Sequence, residues 1–406
     1  MTSISKYTSR FKNNFIWLFL VNKLSYLFSF LTLPILISKY GLKEMGVIFT
    51  VQSLVLTISI VTNYSFVYYI PTVSKKISLN KKAFSSLWNL TLSTRLILSI
   101  LLSFISIIIV ILYYKNFLFL WLLSLPILIA KIINPVLFCN ALEKNNLVFK
   151  IVFFQKLLFL LFILLINKSI YVNFFFGFSE LIVLLFFLKK IHPTIHKIKF
   201  VGFKKINSHL RETFRLFLVN VFSMLKPASI VPIISYLLGV EYVTLYTLAD
   251  KVMNVVRGVS GAVFVSFFPI FTKENISIRV FLTKKSFFAL LLTFLFTLFI
   301  WLCSPYLIYY LNNFTKNNVA SETLQLLSLS IPSFFIIIPL FSYLLNKKNW
   351  TFILQAAIFQ LIILYGLVFV FHKNIQQIAV NFVVAEYSLL IFYVLFIFLS
   401  KKRELD

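Results

Sequence analysis

The side chains in this sequence best able to do chemistry are ionisable groups set inside long apolar runs. Seven are basic: Lys23, Arg95, Lys131, Lys156, Lys226, Lys251 and Arg257. Three are acidic: Glu180, Asp250 and Glu386. A charge in such a segment is costly to bury, so each is a candidate for function. Ammonium and guanidinium groups hold phosphate oxygens by charge-assisted hydrogen bonds, and a surplus of seven to three fits an anionic ligand. Arg95 and Lys156 lie about ten residues inside their runs, roughly 15 Å along a helix, too deep for easy snorkelling. Lys23 is shallower and can partly escape. Any one lysine alone fits snorkelling or a structural pair as well as it fits a binding role; the set favours a solvated cationic cavity that binds substrate.

Polar residues near these charges recur at helical spacing. Asp250, Asn254, Arg257 and Gly261 fall at i, i+4, i+7 and i+11, one helix face. The two-turn separation of Asp250 and Arg257 is long for direct contact. Gln52, Ser59 and Asn63 share one face of an earlier run, and Asn22, Ser25, Ser29 and Thr32 form a stripe on the first. The expectation is a polar lining, with Asn22, Ser25, Gln52, Asn63, Asp250 and Asn254 facing a cleft or taking part in coupling. Packing between helices in lipid uses the same residue types. Tyr64, Tyr68, Tyr69, Tyr242 and Tyr246 have rings that stack on sugars, although at the ends of apolar runs they fit an interfacial belt better.

The elements that position these groups follow from composition. The chain has 406 residues, 60% hydrophobic and only 12% charged, with mean hydropathy +0.96. A soluble domain carries nearer a quarter charged residues. The bilayer is the solvent that accepts this much apolar surface. Runs long enough to cross it lie near 15–38, 46–70, 84–112, 117–139, 147–166, 169–188, 214–238, 244–271, 285–310, 321–345, 350–371 and 375–400. The first is too long for a signal peptide and lacks a small-residue cleavage site. The fold class expected is all-α: a polytopic membrane protein of about twelve transmembrane helices. With the N-terminus placed in the cytoplasm, 26 of the 39 basic residues fall on cytoplasmic segments and 6 on the opposite side. That bias predicts both termini inside and a bacterial cytoplasmic (inner) membrane location. It also accounts for a net charge of +28 without nucleic acid as a partner.

A shift of 198 residues aligns 18–75 with 216–273 at 15 identities in 58 positions, where chance gives roughly five. Leu18-Phe19-Leu20-Val21-Asn22 matches Leu216-Phe217-Leu218-Val219-Asn220. Pro34, Gly41 and Pro71 match Pro232, Gly239 and Pro269. Six crossings separate the copies, so the halves insert the same way up, as parallel repeats. The domains expected are an N-terminal six-helix bundle (1–188), a basic cytoplasmic linker (189–213) and a C-terminal six-helix bundle (214–406). The linker, with Phe200, Val201, Phe203 and Ile206 among its bases, reads either as a helix on the inner leaflet or as a plain basic connection.

There is no GxxxxGK[ST] loop, no exposed carboxylate pair for glycosyl chemistry, and no Cys/His cluster; Cys139 and Cys303 lie in or beside apolar runs. A protein that is not an enzyme and carries no cofactor or metal is expected.

The chain resembles the polysaccharide-transporter branch of the multidrug/oligosaccharidyl-lipid/polysaccharide (MOP) exporter superfamily, and within it the Wzx-type O-antigen flippases. The likeness rests on the 6+6, MATE/MOP-like plan and on short motifs: Tyr40-Gly41 with Glu44-Met45-Gly46, Tyr246 with Ala249-Asp250-Lys251, and Phe268-Pro269 with Lys273. Such families often carry an Asp near the end of the second span, where this chain has Asn63. The resemblance implies a flippase moving undecaprenyl-pyrophosphate-linked oligosaccharide units of O-antigen or capsule type through a cationic lumen by alternating access. It implies Lys23, Lys226, Lys251, Arg257 and Asp250 as site residues. The partners implied are the lipid-linked substrate, membrane lipids, and the polymerase and chain-length regulator of the same pathway. A multidrug/cation antiporter of the same fold is the rival reading; it usually has an acid in the first span, where this chain has Lys23. A membrane-embedded polymerase is the other, and that class keeps a large loop on the opposite side.

Overall fold

In the computed structural model the apolar runs are helices, broken where glycine, proline or short polar stretches interrupt them. The structure describes the backbone of residues 2–73, 80–191, 199–273, 284–346 and 349–403; side chains at 2–15, 18, 189, 259–273, 284–290, 342–343, 345–346 and 397–403 lie outside what it describes. His192 and His196 of the expected linker therefore lie outside it, as do the side chains of Gly261's neighbours and of Phe268, Pro269 and Lys273.

The protein is an all-α, multi-pass membrane protein. Among the described residues nine helices are long and apolar enough to cross a membrane, and a tenth is counted if the pair Lys115–Leu123 and Leu125–Ala141, bent by 45°, is one span. The described chain forms two compact units. The first comprises Met1–Thr32 and Lys39–Ile233; the second comprises Leu33–Ser38 and Ile234–Asp406.

The first unit holds most of α1 (Thr2–Thr62), α2 (Phe66–Thr72), α3 (Lys81–Tyr113), α4 (Leu118–Leu123), α5 (Leu125–Ile133), α6 (Val136–Ala141), α7 (Asn145–Leu165), α8 (Val172–Ile191), α9 (Phe203–Glu212) and most of α10 (Phe214–Leu237). Its core is aromatic and aliphatic, with Phe66, Phe84, Trp88 and Phe138 buried together. The second unit holds α11 (Val240–Lys273), α12 (Lys284–Leu311), α13 (Asn318–Ser328), α14 (Ile331–Asn346), α15 (Trp350–Val370) and α16 (Ile375–Arg403). There α11 packs on α13 and α14, and α15 packs on α16.

The backbone carries the sequence repeat in its breaks. Helix α1 is interrupted at Gly41, whose φ is 78°, and Gly239 separates α10 from α11 with φ 103°. A left-handed conformation is open to glycine at little cost, so both copies stop a helix at the same repeat position.

Prolines inside helices leave a carbonyl without its i+4 donor. The structure supplies substitutes. Pro232 deprives Ala228 of a donor, and the hydroxyl of Ser53 on α1 donates to that carbonyl at 2.6 Å, with Thr57 at 3.4 Å. Pro305 does the same to Trp301 in the second unit, where Ser304 Oγ donates at 3.0 Å and Gln325 Nε2 at 3.4 Å.

Candidate functional site

Two charged clusters stand out, one in each unit. In the second unit Asp250, Asn254 and Arg257 line one face of α11, as their spacing predicts. Arg257 Nη1 donates to Asp250 Oδ1 at 2.8 Å and to Asn254 Oδ1 at 2.9 Å. Asn254 Nδ2 donates to Asp250 Oδ2 at 2.9 Å, so each member touches the other two. The expectation that Asp250 and Arg257 stand too far apart is overturned. Seven residues rise about 10 Å, and the extended arginine reaches back two turns over Asn254.

The guanidinium is also set against two rings. Its carbon lies 5.5 Å from the centroid of Phe334 on α14 and 5.5 Å from that of Phe382 on α16. Such contacts contribute about 0.5–2 kcal/mol each, more where water is excluded. They also fix the plane of the fork. Glu386 lies one turn beyond Phe382 on the same face of α16; it is buried and is an electrostatic neighbour of both Arg257 and Tyr246. Lys251 is half-buried beside Asp250. The rings and Glu386 come from helices about 80 and 130 residues away, so spacing along α11 gave no sign of them.

In the first unit the charges cluster where a helix breaks. Pro135 follows Asn134 and ends α5, leaving carbonyls of its last turn without helical donors. Arg95, 1% exposed on α3, donates through Nη1 to the carbonyls of Ile132 at 3.2 Å and Asn134 at 2.8 Å. A cation at a helix C-terminus also meets the negative end of its dipole. Val136 N finds Asn134 Oδ1 at 2.9 Å, closing the break locally.

One turn back, Lys131 Nζ meets both oxygens of Glu180 at 2.8 and 2.9 Å, and Asn134 Nδ2 reaches Oε1 at 3.2 Å. Glu180 is 2% exposed, and this arrangement gives its carboxylate three hydrogen bonds. The helices that carry the pair lie very close. A Cβ added at Gly177, one turn before Glu180, would overlap the backbone of Pro126 and Ile127, one turn before Lys131.

The other expected residues are spread over the first unit. Lys23 is half-buried, its Nζ 5.1 Å from the Phe19 ring. Lys156 places Nζ 5.1 Å from the Phe176 ring, and Lys226 is half-buried on α10. Asn22 is exposed, while Gln52 and Asn63 are half-buried on α1 and at its end. In the α1 stripe, Ser25 bonds to the Val21 carbonyl, Ser29 to that of Ser25 and Thr32 to that of Phe28, each one turn back. Of Tyr64, Tyr68, Tyr69, Tyr242 and Tyr246, the first and last are buried. The structure thus joins Arg95 to Lys131's network and Arg257 to Asp250 and Asn254. No group of three or more His, Cys, Asp or Glu able to hold a metal occurs among the described residues.

No protein-family model matches the chain, and no curated protein matches it. Solved structures do. The lipid II flippase MurJ in an inward closed conformation matches with TM-score 0.68 at 13% identity, covering 94% of this chain and 87% of that one. An inward-facing multidrug resistance MATE family transporter of the MOP superfamily matches with TM-score 0.64 at 14% identity, covering 92% and 93%. A MATE structure in complex with MaL6 matches with TM-score 0.61 at 14% identity, covering 95% and 94%. Each alignment runs over nearly the whole chain, and this protein shares its fold with that MATE transporter of the MOP superfamily and with MurJ.

Proposed function

We propose that this protein is a flippase for a lipid-linked, anionic oligosaccharide of O-antigen or capsule type, carried on undecaprenyl pyrophosphate. The observation that carries the reading is the charge surplus. Seven basic and three acidic residues lie within apolar helices, so pairing every acid with a base still leaves four positive charges. Net charge of one sign within apolar runs is costly, and a diphosphate is a counter-ion that offsets it. The MurJ likeness supports the same class, since that protein is a flippase for a lipid-linked precursor.

In this reading the protein has twelve spans: α1 counts as two, divided at Gly41, the bent pair as one, and α11 completes the set. The two six-helix repeats alternate access across the bacterial cytoplasmic membrane, with both termini on the cytoplasmic side. Arg257 is the principal diphosphate ligand. Its fork, within 5.5 Å of the ring centroids of both Phe334 and Phe382, exchanges Asp250 for phosphate oxygens when substrate arrives. Lys23, Lys156, Lys226 and Lys251 supply further positive charge. The bonding of Arg95 and Lys131 favours a bracing role for those two.

The test is surface glycan display in a host lacking its own flippase. Arg257→Ala and Lys23→Ala should each abolish display while the protein stays at normal abundance in the membrane. Arg257→Lys keeps the charge but loses the fork, and display should fall about tenfold, as expected for one lost charge-assisted hydrogen bond of about 1.5 kcal/mol. Full display from Arg257→Ala would sink the reading. The MATE likeness favours a second one, antiport of an organic cation; reduced accumulation of a cationic dye in cells expressing the protein would select it.

A further inference from the structure

A basic surface of the first unit lies apart from the residues assigned to substrate above. Residues 199–215 run as a strap across it. The backbone N–H of Lys199 donates to Asn89 Oδ1 at 3.1 Å, and that of Val201 to Ser93 Oγ at 3.0 Å, which ties the strap to α3. Lys205 Nζ reaches Ser86 Oγ at 3.2 Å. On the inner side Ile206 and His209 are buried, and the His209 ring stacks on Phe66 with centroids 5.1 Å apart. Tyr64 donates its hydroxyl to the Leu210 carbonyl at 2.7 Å, and Ser65 donates to Thr213 at 2.8 Å.

With one side fixed, the outer side presents an unusual pair of features. Phe200, Phe203 and Phe214 are 63%, 69% and 50% exposed. Lys199, Lys204, Lys205, Arg211 and Arg215 are exposed among them, against a single acid, Glu212, whose carboxylate accepts from Ser208 at 2.8 Å. The strap also continues into surface suited to lipid. Phe214 opens α10, a span-length helix, and at the end of α8 the exposed Phe186 lies 4.9 Å from Lys190 Nζ. Exposed phenylalanines are poorly placed in bulk water. At the membrane boundary they enter the acyl edge while the bases stay at headgroup depth. Basic residues beside a membrane span meet the negative potential of an anionic leaflet.

We propose that the 199–215 strap is a docking surface for anionic phospholipid headgroups of the leaflet it faces. The phenylalanines set its depth and the five bases its selectivity. This rests on surface geometry and charge, independently of the transported substrate.

Full-length protein is reconstituted in phosphatidylcholine vesicles with trace spin-labelled phosphatidylglycerol or phosphatidylcholine. The motionally restricted fraction gives the relative association of each lipid. The wild type should prefer phosphatidylglycerol severalfold, and the preference should shrink as salt rises. The variant Lys199→Gln/Lys204→Gln/Lys205→Gln/Arg211→Gln should lose at least half of it. The triple Lys→Arg variant at 199, 204 and 205 should keep it, as should Lys168→Gln/Lys316→Gln, which removes charge elsewhere. No wild-type preference would overturn the proposal, as a surface for a soluble partner would give. So would full preference in the glutamine variant, or equal loss in Lys168→Gln/Lys316→Gln.

Discussion

At the scale of residues, the two clusters use the same side-chain types differently. Arg257 is a fork set against two rings and hydrogen-bonded to a carboxylate and an amide. Arg95 is a cap on a broken helix, and Lys131 neutralises the buried Glu180. Removing one partner of a buried pair leaves the other charge unpaired, at a cost of about 3–5 kcal/mol, whereas replacing both by apolar groups is near neutral. Lys131→Met and Glu180→Leu should therefore each lower the melting temperature of detergent-purified protein sharply, while the double variant recovers most of the loss. A double variant as unstable as the sum of the singles would show no energetic coupling between the two charges, and the desolvation argument would fail.

At the scale of elements, close approach and broken helices place these groups. Gly177 lets α8 lie on the backbone of α5, and any Cβ there must push the two apart. Gly177→Ala should separate Lys131 from Glu180 and destabilise the protein by about 1–3 kcal/mol, the range for overpacking. Measured stability unchanged from wild type would contradict that contact. Ser53→Ala leaves the Ala228 carbonyl, freed by Pro232, with only the longer Thr57 bond, and should cost about 1 kcal/mol. The corner between α2 and α9 should be sensitive to acid. His209 is buried against Phe66 and Tyr69, and burial pushes its imidazole below the usual histidine range, with Glu212 opposing that in part. The unfolded chain protonates near pH 6.5, so stability here is full above about 6.5 and falls as pH drops toward the lower folded value. Protection of the 203–212 amides, corrected for the intrinsic exchange rate at each pH, should fall below that pH in the wild type and less so in His209→Gln.

These elements also divide what could be read from the chain alone. The Asp250, Asn254 and Arg257 stripe was legible because helical periodicity is a local property, and so were the glycine breaks at 41 and 239, marked by the repeat. The helical start of the strap at 203 was open between two readings. Partners that come from distant helices were not legible. Phe334 and Phe382 flank Arg257, and Glu180 meets Lys131 across 49 residues, with no local signal linking them. The partners of Arg95 were not legible for a different reason. Its partners are backbone carbonyls released by Pro135, and side-chain chemistry does not advertise a carbonyl.

At the scale of the molecule, the fold belongs to transporters of multidrug and lipid-linked cargo alike, so topology leaves cargo open and charge must decide it. The central claim is that surplus positive charge in apolar helices exists to hold a diphosphate. Binding of undecaprenyl pyrophosphate and of uncharged undecaprenol to the purified protein in neutral-lipid nanodiscs tests it most directly. The wild type should bind the diphosphate at least about a hundredfold more tightly, the worth of two charge-assisted hydrogen bonds, and Arg257→Ala should lose most of that difference. Equal affinity for the two lipids, or a preference unchanged in Arg257→Ala, would contradict it.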